Sequence, residues 1–213
     1  MLVRDIMQSR LVTISPKTTL PQATRLAAER RIRHLPVVEN GDLIGIVSDR
    51  DLKQAMASPA TSLEAHELNY LLNRLSVAEI MTQAVITIGP MFPVEEAARL
   101  MVQEKISALP VTEGGRLIGI VTETDVMELF VRAMGAGTPS TRLDVLLSDD
   151  RPCALPEIVN MIEGTGVCVT SIVTLQTRAG AREAVVRVAT INPGPAIAAL
   201  EAAGHAVRES WRG

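Results

Sequence analysis

The stretch LPVVENGDLIGIVSDRDLK at residues 35–53 decides the fold, because it returns as LPVTEGGRLIGIVTETDVM at residues 109–127. Working outward, the likeness runs without a gap from Val3–Lys53 to Val77–Met127, at a constant offset of 74 residues. Ile6, Met7, Thr13, Pro16 and Arg25 meet Ile80, Met81, Thr87, Pro90 and Arg99. A repeated supersecondary unit buries its apolar face against its neighbour. Two copies are therefore expected to pack about a pseudo-twofold axis, with clefts between them. A function seated in those clefts should appear twice, in slightly different chemistry.

Within the quoted stretch, Val37-Val38-Glu39 turns through Asn40-Gly41 into Leu43–Val47, and the copy turns through Gly114-Gly115. Two-residue turns that accept positive φ mark hairpins. Upstream, short strands are expected at Leu11–Ile14 and Val85–Ile88, ending at Ser15-Pro16 and Gly89-Pro90. A helix follows each. Val94, Ala97, Ala98 and Met101 fall on one face, and Leu20, Ala23 and Ala27 give the first version. Arg30, Arg31 and Arg33 crowd the end of the first helix, where cations suit its dipole. Each hairpin runs into a further helix, so the unit reads β-α-β-β-α, twice.

Ser58-Pro59-Ala60-Thr61-Ser62 interrupts the chain between the copies, and a helical stretch is expected over Leu63–Leu75. Gly135, Gly137 and Pro139 mark a linker. Beyond it the pattern becomes strand (Leu143–Leu147), helix (Leu155, Ile158, Val159, Ile162), strand (Val167–Leu175), strand (Ala184–Ile191), helix, strand (Ala206–Glu209). The last helix is punctuated by Asn192 as N-cap, Pro193 at the first position and Gly204 past its end. This β-α-β-β-α-β order is the ferredoxin-like plan. The chain is thus of α/β (α+β) class, with residues 1–62, 63–136 and 140–213 as its three domains.

Composition excludes several functions. The 213 residues are 47% hydrophobic and 21% charged, with a formal net charge of -3. That balance disfavours a polyanion partner, which calls for a basic face. Aromatic residues make up 2% of the chain, which leaves little for stacking nucleic-acid bases. No apolar run nears the ~18 residues of a membrane span. The repeat starts at Val3, which leaves no room for a signal peptide, and the two cysteines are too few for a disulfide scaffold. A cytoplasmic protein is expected. His34, His66 and His205 lack metal-ligand spacing, and no hydrolase, Walker-loop or zinc-protease motif occurs. No metal, no catalytic residue and no enzyme activity are expected.

The chemistry is expected in G-I-V-S-D-R-D at 45–51 and G-I-V-T-E-T-D at 119–125. A hydroxyl followed three residues later by an acid is a helix cap. The same cap gathers a hydroxyl, a carboxylate and backbone N–H groups at one helix start. The hydroxyl and N–H groups suit a phosphate. An ionised carboxylate, which only accepts, suits a vicinal ribose diol. Repeat one has His34 and Arg50 where repeat two has Ala108 and Thr124, so the first motif should favour more phosphorylated ligands.

The paired repeats resemble a tandem of CBS domains, a Bateman module, over about residues 1–134. The likeness rests on Ile6-Met7 and Ile80-Met81, the two Leu-Pro-Val strands and the two capped segments. It implies clefts for adenosine-containing ligands (AMP, ADP, ATP, S-adenosylmethionine or a dinucleotide). Asp51 and Asp125 would hold ribose, with Ser48 and Thr122 near ribose or phosphate. Thr13-Ile14, Thr87-Ile88, His34, Pro36-Val37, Ala108 and Pro110-Val111 would flank the base. The domain order is similar to the CBS–CBS–ACT proteins of the acetoin-utilization group, and Asn69-Tyr70-Leu71-Leu72 and Asp150-Arg151-Pro152 fit it. ACT domains usually bind amino acids at a D-x-P-G loop, with help from an Asn on the second strand. Here Cys153 replaces that Gly and Cys168 stands at the Asn position. The resemblance implies a non-catalytic regulatory homodimer acting on a protein partner. The alternatives are an assembly adaptor with vestigial clefts and a sensor of S-adenosylmethionine or NAD.

Overall fold

The computed structural model describes residues 1–57, 74–137, 139–147, 154–178 and 180–212. The breaker at Ser58–Ser62, most of the helix expected over Leu63–Leu75, the Asn69–Leu72 stretch and the Asp150–Cys153 loop lie outside those residues. The chain forms two compact units, Met1–Val126 and Met127–Gly213. Among the described residues no helix is long and apolar enough to cross a membrane.

In the first unit, α1 (Leu20–Arg30) leads to a hairpin of β1 (His34–Glu39) and β2 (Asp42–Ser48), then α2 (Asp49–Ala57). The copy is α3 (Val94–Glu104), β3 (Ala108–Glu113), β4 (Arg116–Thr122) and α4 (Glu123–Ala133), the last crossing into the second unit. Both turns use positive φ at both centres: Asn40 at 53° and Gly41 at 95°, then Gly114 at 56° and Gly115 at 82°. That geometry matches the twist of the strands it joins. The sheet order is β1-β2-β4-β3, with the hairpins meeting at the bridge between Asp42 and Arg116.

The strands expected at Leu11–Ile14 and Val85–Ile88 shrink to single parallel bridges, Ile14 to Val37 and Ile88 to Val111. Ile14 donates to the Pro36 carbonyl at 3.0 Å and accepts from Val38 at 2.9 Å. Pro36 has no N–H to extend the ladder, and Pro16 ends it on the other strand.

The lead segments are exchanged. A single 3-10 turn at Val3–Asp5 opens repeat one, yet Val3 donates to the Phe92 carbonyl of repeat two at 2.9 Å. Its counterpart at Val77–Glu79 opens repeat two, and Val77 donates to Thr18 of repeat one at 2.8 Å. Val77 is fully buried in the core of repeat one, with Leu20, Ala23, Leu35, Val37, Val47 and Leu52. Each such valine removes roughly 1.5–3 kcal/mol of apolar exposure from water. Neither repeat closes its core alone.

The second unit runs β5 (Thr141–Leu147), α5 (Ala154–Gly164), β6 (Val169–Gln176), β7 (Arg182–Val188), α6 (Gly194–Ala202) and β8 (Val207–Arg212). Its sheet order is β6-β7-β5-β8, with every neighbouring pair antiparallel. This is the split β-α-β arrangement expected from the element order. Leu143, Val145, Ile158, Ile162, Val186 and Leu200 form its core. The start of α6 differs from expectation: Pro193 is the N-cap, and Asn192 lies one residue outside. Ile197 donates to the Pro193 carbonyl at 2.9 Å, so Pro193 supplies the first intrahelical acceptor. Cys168 is a free, exposed thiol.

Candidate functional site

Both motifs form the caps that their spacing implies. Ser48 is the residue before α2. Its N–H donates to Asp51 Oδ2 at 2.8 Å, its hydroxyl donates to the same oxygen at 2.7 Å, and Asp51 N–H returns to Ser48 Oγ at 3.2 Å. Thr122 and Asp125 repeat this at 2.7, 2.6 and 3.3 Å. The cap thus commits the hydroxyl and one carboxylate oxygen in each motif. Asp49 N–H is committed as well, to the Arg33 carbonyl at 2.9 Å. What Asp51 offers a ligand is mainly Oδ1, which accepts no hydrogen bond among the described residues.

Asp51 opens into a cleft of about 360 Å³, a volume suited to a small-molecule ligand. Repeat one contributes Arg33, His34, Ile46, Ser48, Asp49, Arg50 and Asp51. Repeat two contributes Thr82, Ala84, Val85, Ile86, Lys105, Ile106, Ser107, Ala108 and Pro110. The exchanged lead segment explains the mixture: Thr82 pairs with Ile46 of β2 through bonds of 2.9 and 3.0 Å. Ala84, Val85 and Ile86 give the cleft aliphatic wall, and Arg33, Arg50 and Lys105 supply cations. Asp49 is turned partly outward to Lys53, at 3.1 Å, which holds its carboxyl below the usual range.

His34 Nε2 meets Ser107 Oγ at 2.8 Å, joining the repeats across the cleft. Burial lowers the imidazole pKa from its ordinary 6.5, and Arg33 adds to that, against weaker pulls from Asp49, Asp51 and Glu123. Both effects favour the neutral ring.

The second motif stands differently. Gln8 Nε2 donates to Asp125 Oδ1 at 2.9 Å, and Arg33 donates to Thr124 Oγ1 at 2.9 Å. Asp125 is buried, whereas Asp51 is half-buried.

Of the residues singled out in the sequence, the cleft gathers His34, Ser48, Arg50, Asp51, Ala108 and Pro110. Ile14, Val37, Ile88 and Val111 are buried in the hydrophobic core. Thr13, Pro36, Thr87, Thr122 and Asp125 do not line this cleft. Lys105, Thr82 and Ser107 were not anticipated; the signal was the repeat itself, since residues 8, 31 and 33 hold the matching places. In the arginine run Arg33 lines the cleft, while Arg25 pairs with Glu29 at 2.6 Å. Among the described residues no group of three His, Cys, Asp or Glu is placed to hold a metal ion.

The first unit is thus a duplicated α/β pair with exchanged lead segments and a capped carboxylate at the wall of an inter-repeat cleft. The CBS-domain family model matches residues 3–58 and 77–132, and the chain belongs to that family. The CBS domain pair of protein MJ0100, solved with 5'-methylthioadenosine and S-adenosyl-L-methionine, is 32% identical with a TM-score of 0.53. That likeness covers 61% of this chain and 95% of the other. AcuB from Vibrio cholerae, a proposed acetoin utilization protein, is 31% identical with a TM-score of 0.54, covering 63% and 93%. CBSX2 in complex with AMP is 31% identical with a TM-score of 0.52, covering 62% and 96%. Some relatives carry enzyme names, such as the homoserine O-acetyltransferase of Methanococcoides burtonii, but the match spans 24% of that protein's length.

Proposed function

We propose that this protein is a non-catalytic regulator whose CBS pair binds an adenosine-containing ligand in the cleft at Asp51. CBS-domain proteins are generally regulatory, and related pairs are seen with AMP or with S-adenosylmethionine and methylthioadenosine. The observation that carries the reading is Asp51 itself: a capped carboxylate with one oxygen open among the described residues, at the wall of a cleft of ligand size. Oδ1 takes a ribose hydroxyl, the Ala84–Ile86 edge takes the adenine, and Arg50, Arg33 and Lys105 take phosphates. This distribution favours AMP, ADP or ATP. S-adenosylmethionine, solved with the MJ0100 pair, is the second reading; its sulfonium would face three cations here.

Residues 1–62 and 63–136 serve as the two CBS domains and 140–213 as an ACT-like domain that transmits or assembles without sensing an amino acid. Exposed Cys168 lacks the amide that an amino-acid ligand would need at that place. A homodimer in the cytoplasm, acting on a protein partner, completes the reading. The edge strand β6 offers its open backbone side to a second copy, with Val173 and Leu175 exposed on one face.

A melting series with AMP, ADP, ATP, S-adenosylmethionine and NAD tests the reading. Ligand at ~100 times its dissociation constant stabilises by ~2.7 kcal/mol, which is several degrees at about 2–4 °C per kcal/mol. Five unmoved curves would refute it.

A further inference from the structure

We propose that Gln8 latches the second cleft, so that the chain binds one adenosine-containing ligand, at Asp51, and not two. The inference rests on the nucleotide-binding reading above and assigns its stoichiometry.

The repeats provide the internal control. Gln8 and Thr82 hold the same place, and their backbones are fixed alike. Gln8 exchanges bonds of 2.8 and 3.0 Å with Ile120, and Thr82 exchanges bonds of 2.9 and 3.0 Å with Ile46. Only the side chains differ. Thr82 is too short to reach Asp51 and remains in the wall of the open cleft. Gln8 reaches across, and its amide nitrogen donates to Asp125 Oδ1 at 2.9 Å. An ionised carboxylate cannot donate, so this must be the NH₂ end of the amide. Oδ2 is already held by the Thr122 cap. Both oxygens of Asp125 are therefore engaged from within the chain, Oδ2 by two donors and Oδ1 by one, and the group is buried with 8% of its surface exposed. Arg33 adds a second tie at the same helix start, donating to Thr124. Asp51 has its cap and nothing at Oδ1 among the described residues.

A diol arriving at Asp125 must first displace the Gln8 amide. A hydrogen bond to a charged group, given up for one of similar quality, forfeits the gain that the same diol keeps at Asp51. That difference is roughly 10–100-fold in affinity. The duplicated fold thus carries one open ribose acceptor and one held shut, and the distinction lies chiefly in the Gln8 side chain, outside both motifs.

Equilibrium dialysis with AMP and with ATP counts the sites. The wild-type chain is expected to bind one nucleotide, and Gln8→Thr, which installs the residue of the other repeat, is expected to bind two. Asp51→Ala should bind none in the same range, and the double variant Q8T with D51A should bind one. Two sites of equal affinity in the wild type would overturn the latch, and so would a single site in Gln8→Thr. The wild-type count decides even if Gln8→Thr folds poorly. No binding to any of the four proteins would overturn the nucleotide reading and the latch with it, a result distinct from a count of two.

Discussion

The sulfur of Met7 packs against Gly119, 2.5 Å from where a β-carbon on that residue would stand. Met81 stands in the same relation to Gly45, also at 2.5 Å. Each glycine lies in the second hairpin strand of one repeat, and each methionine comes from the lead segment of the other. The pairs that the alignment places 74 residues apart are therefore partners crosswise, Met7 with Gly119 and Met81 with Gly45.

Gly119→Ala should destabilise the protein by about 1–3 kcal/mol, the usual cost of overpacking. The Met7 side chain is flexible, so Met7→Ala in the same chain should recover part of the loss. A double-mutant cycle by denaturant unfolding checks this, with a coupling of at least about 0.5 kcal/mol expected for touching residues. Strict additivity would show that the two do not share a contact in solution.

His34 makes stability depend on pH. Its folded pKa is lowered, mainly by burial and then by Arg33. Above the ordinary value of 6.5 both folded and unfolded states carry a neutral ring, and there is no effect. As pH falls through 6.5 the unfolded chain takes up the proton first, so stability drops, and the loss levels off below the folded pKa. His34→Ala, which copies Ala108, should flatten this component as pH falls through 6.5 and below. Melting curves across that fall in pH decide; equal slopes for both proteins would contradict the burial argument.

Lys105 sits at the cleft with φ of 55°, a left-handed conformation that glycine adopts at less cost. Arg31 holds the matching place with φ of 54°. Each ends a helix, with the next residue bonding back to Ala27 or Met101 at 3.0 and 3.1 Å. Keeping a long cation where glycine fits the backbone points to a role for the charge. Lys105→Gly should leave stability unchanged or raise it by up to about 1 kcal/mol, while weakening ATP more than AMP. Melting and titration of the one variant test both halves. A loss of stability with unchanged ATP affinity would contradict this.

Much of this was legible locally. Asn40-Gly41 and Gly114-Gly115 announced the hairpins, and Ser48–Asp51 and Thr122–Asp125 announced the caps, because turns and caps are settled within four residues. The strand order of the second unit followed from element order. The cleft was harder. Thr82 lines the same cleft as Asp51 only because the lead segments cross over, a tertiary fact that no local pattern carries. Ile14, Val37, Ile88 and Val111 belong to the cores, since a strand alternation says which residues are inward but not which inward face meets ligand. Gln8 differs from Thr82 in plain view, yet nothing in the sequence says that its amide reaches a carboxylate 117 positions away.

The central claim is that Asp51 Oδ1 receives the ligand's ribose. Calorimetric titration of ATP into the wild-type protein and into Asp51→Ala tests it most directly. The wild type should bind saturably, and the variant should lose about 1.5–3 kcal/mol, the range for a hydrogen bond to a charged group, or roughly 10–100-fold in dissociation constant. Equal affinity in the two proteins, with both folded, would contradict the account.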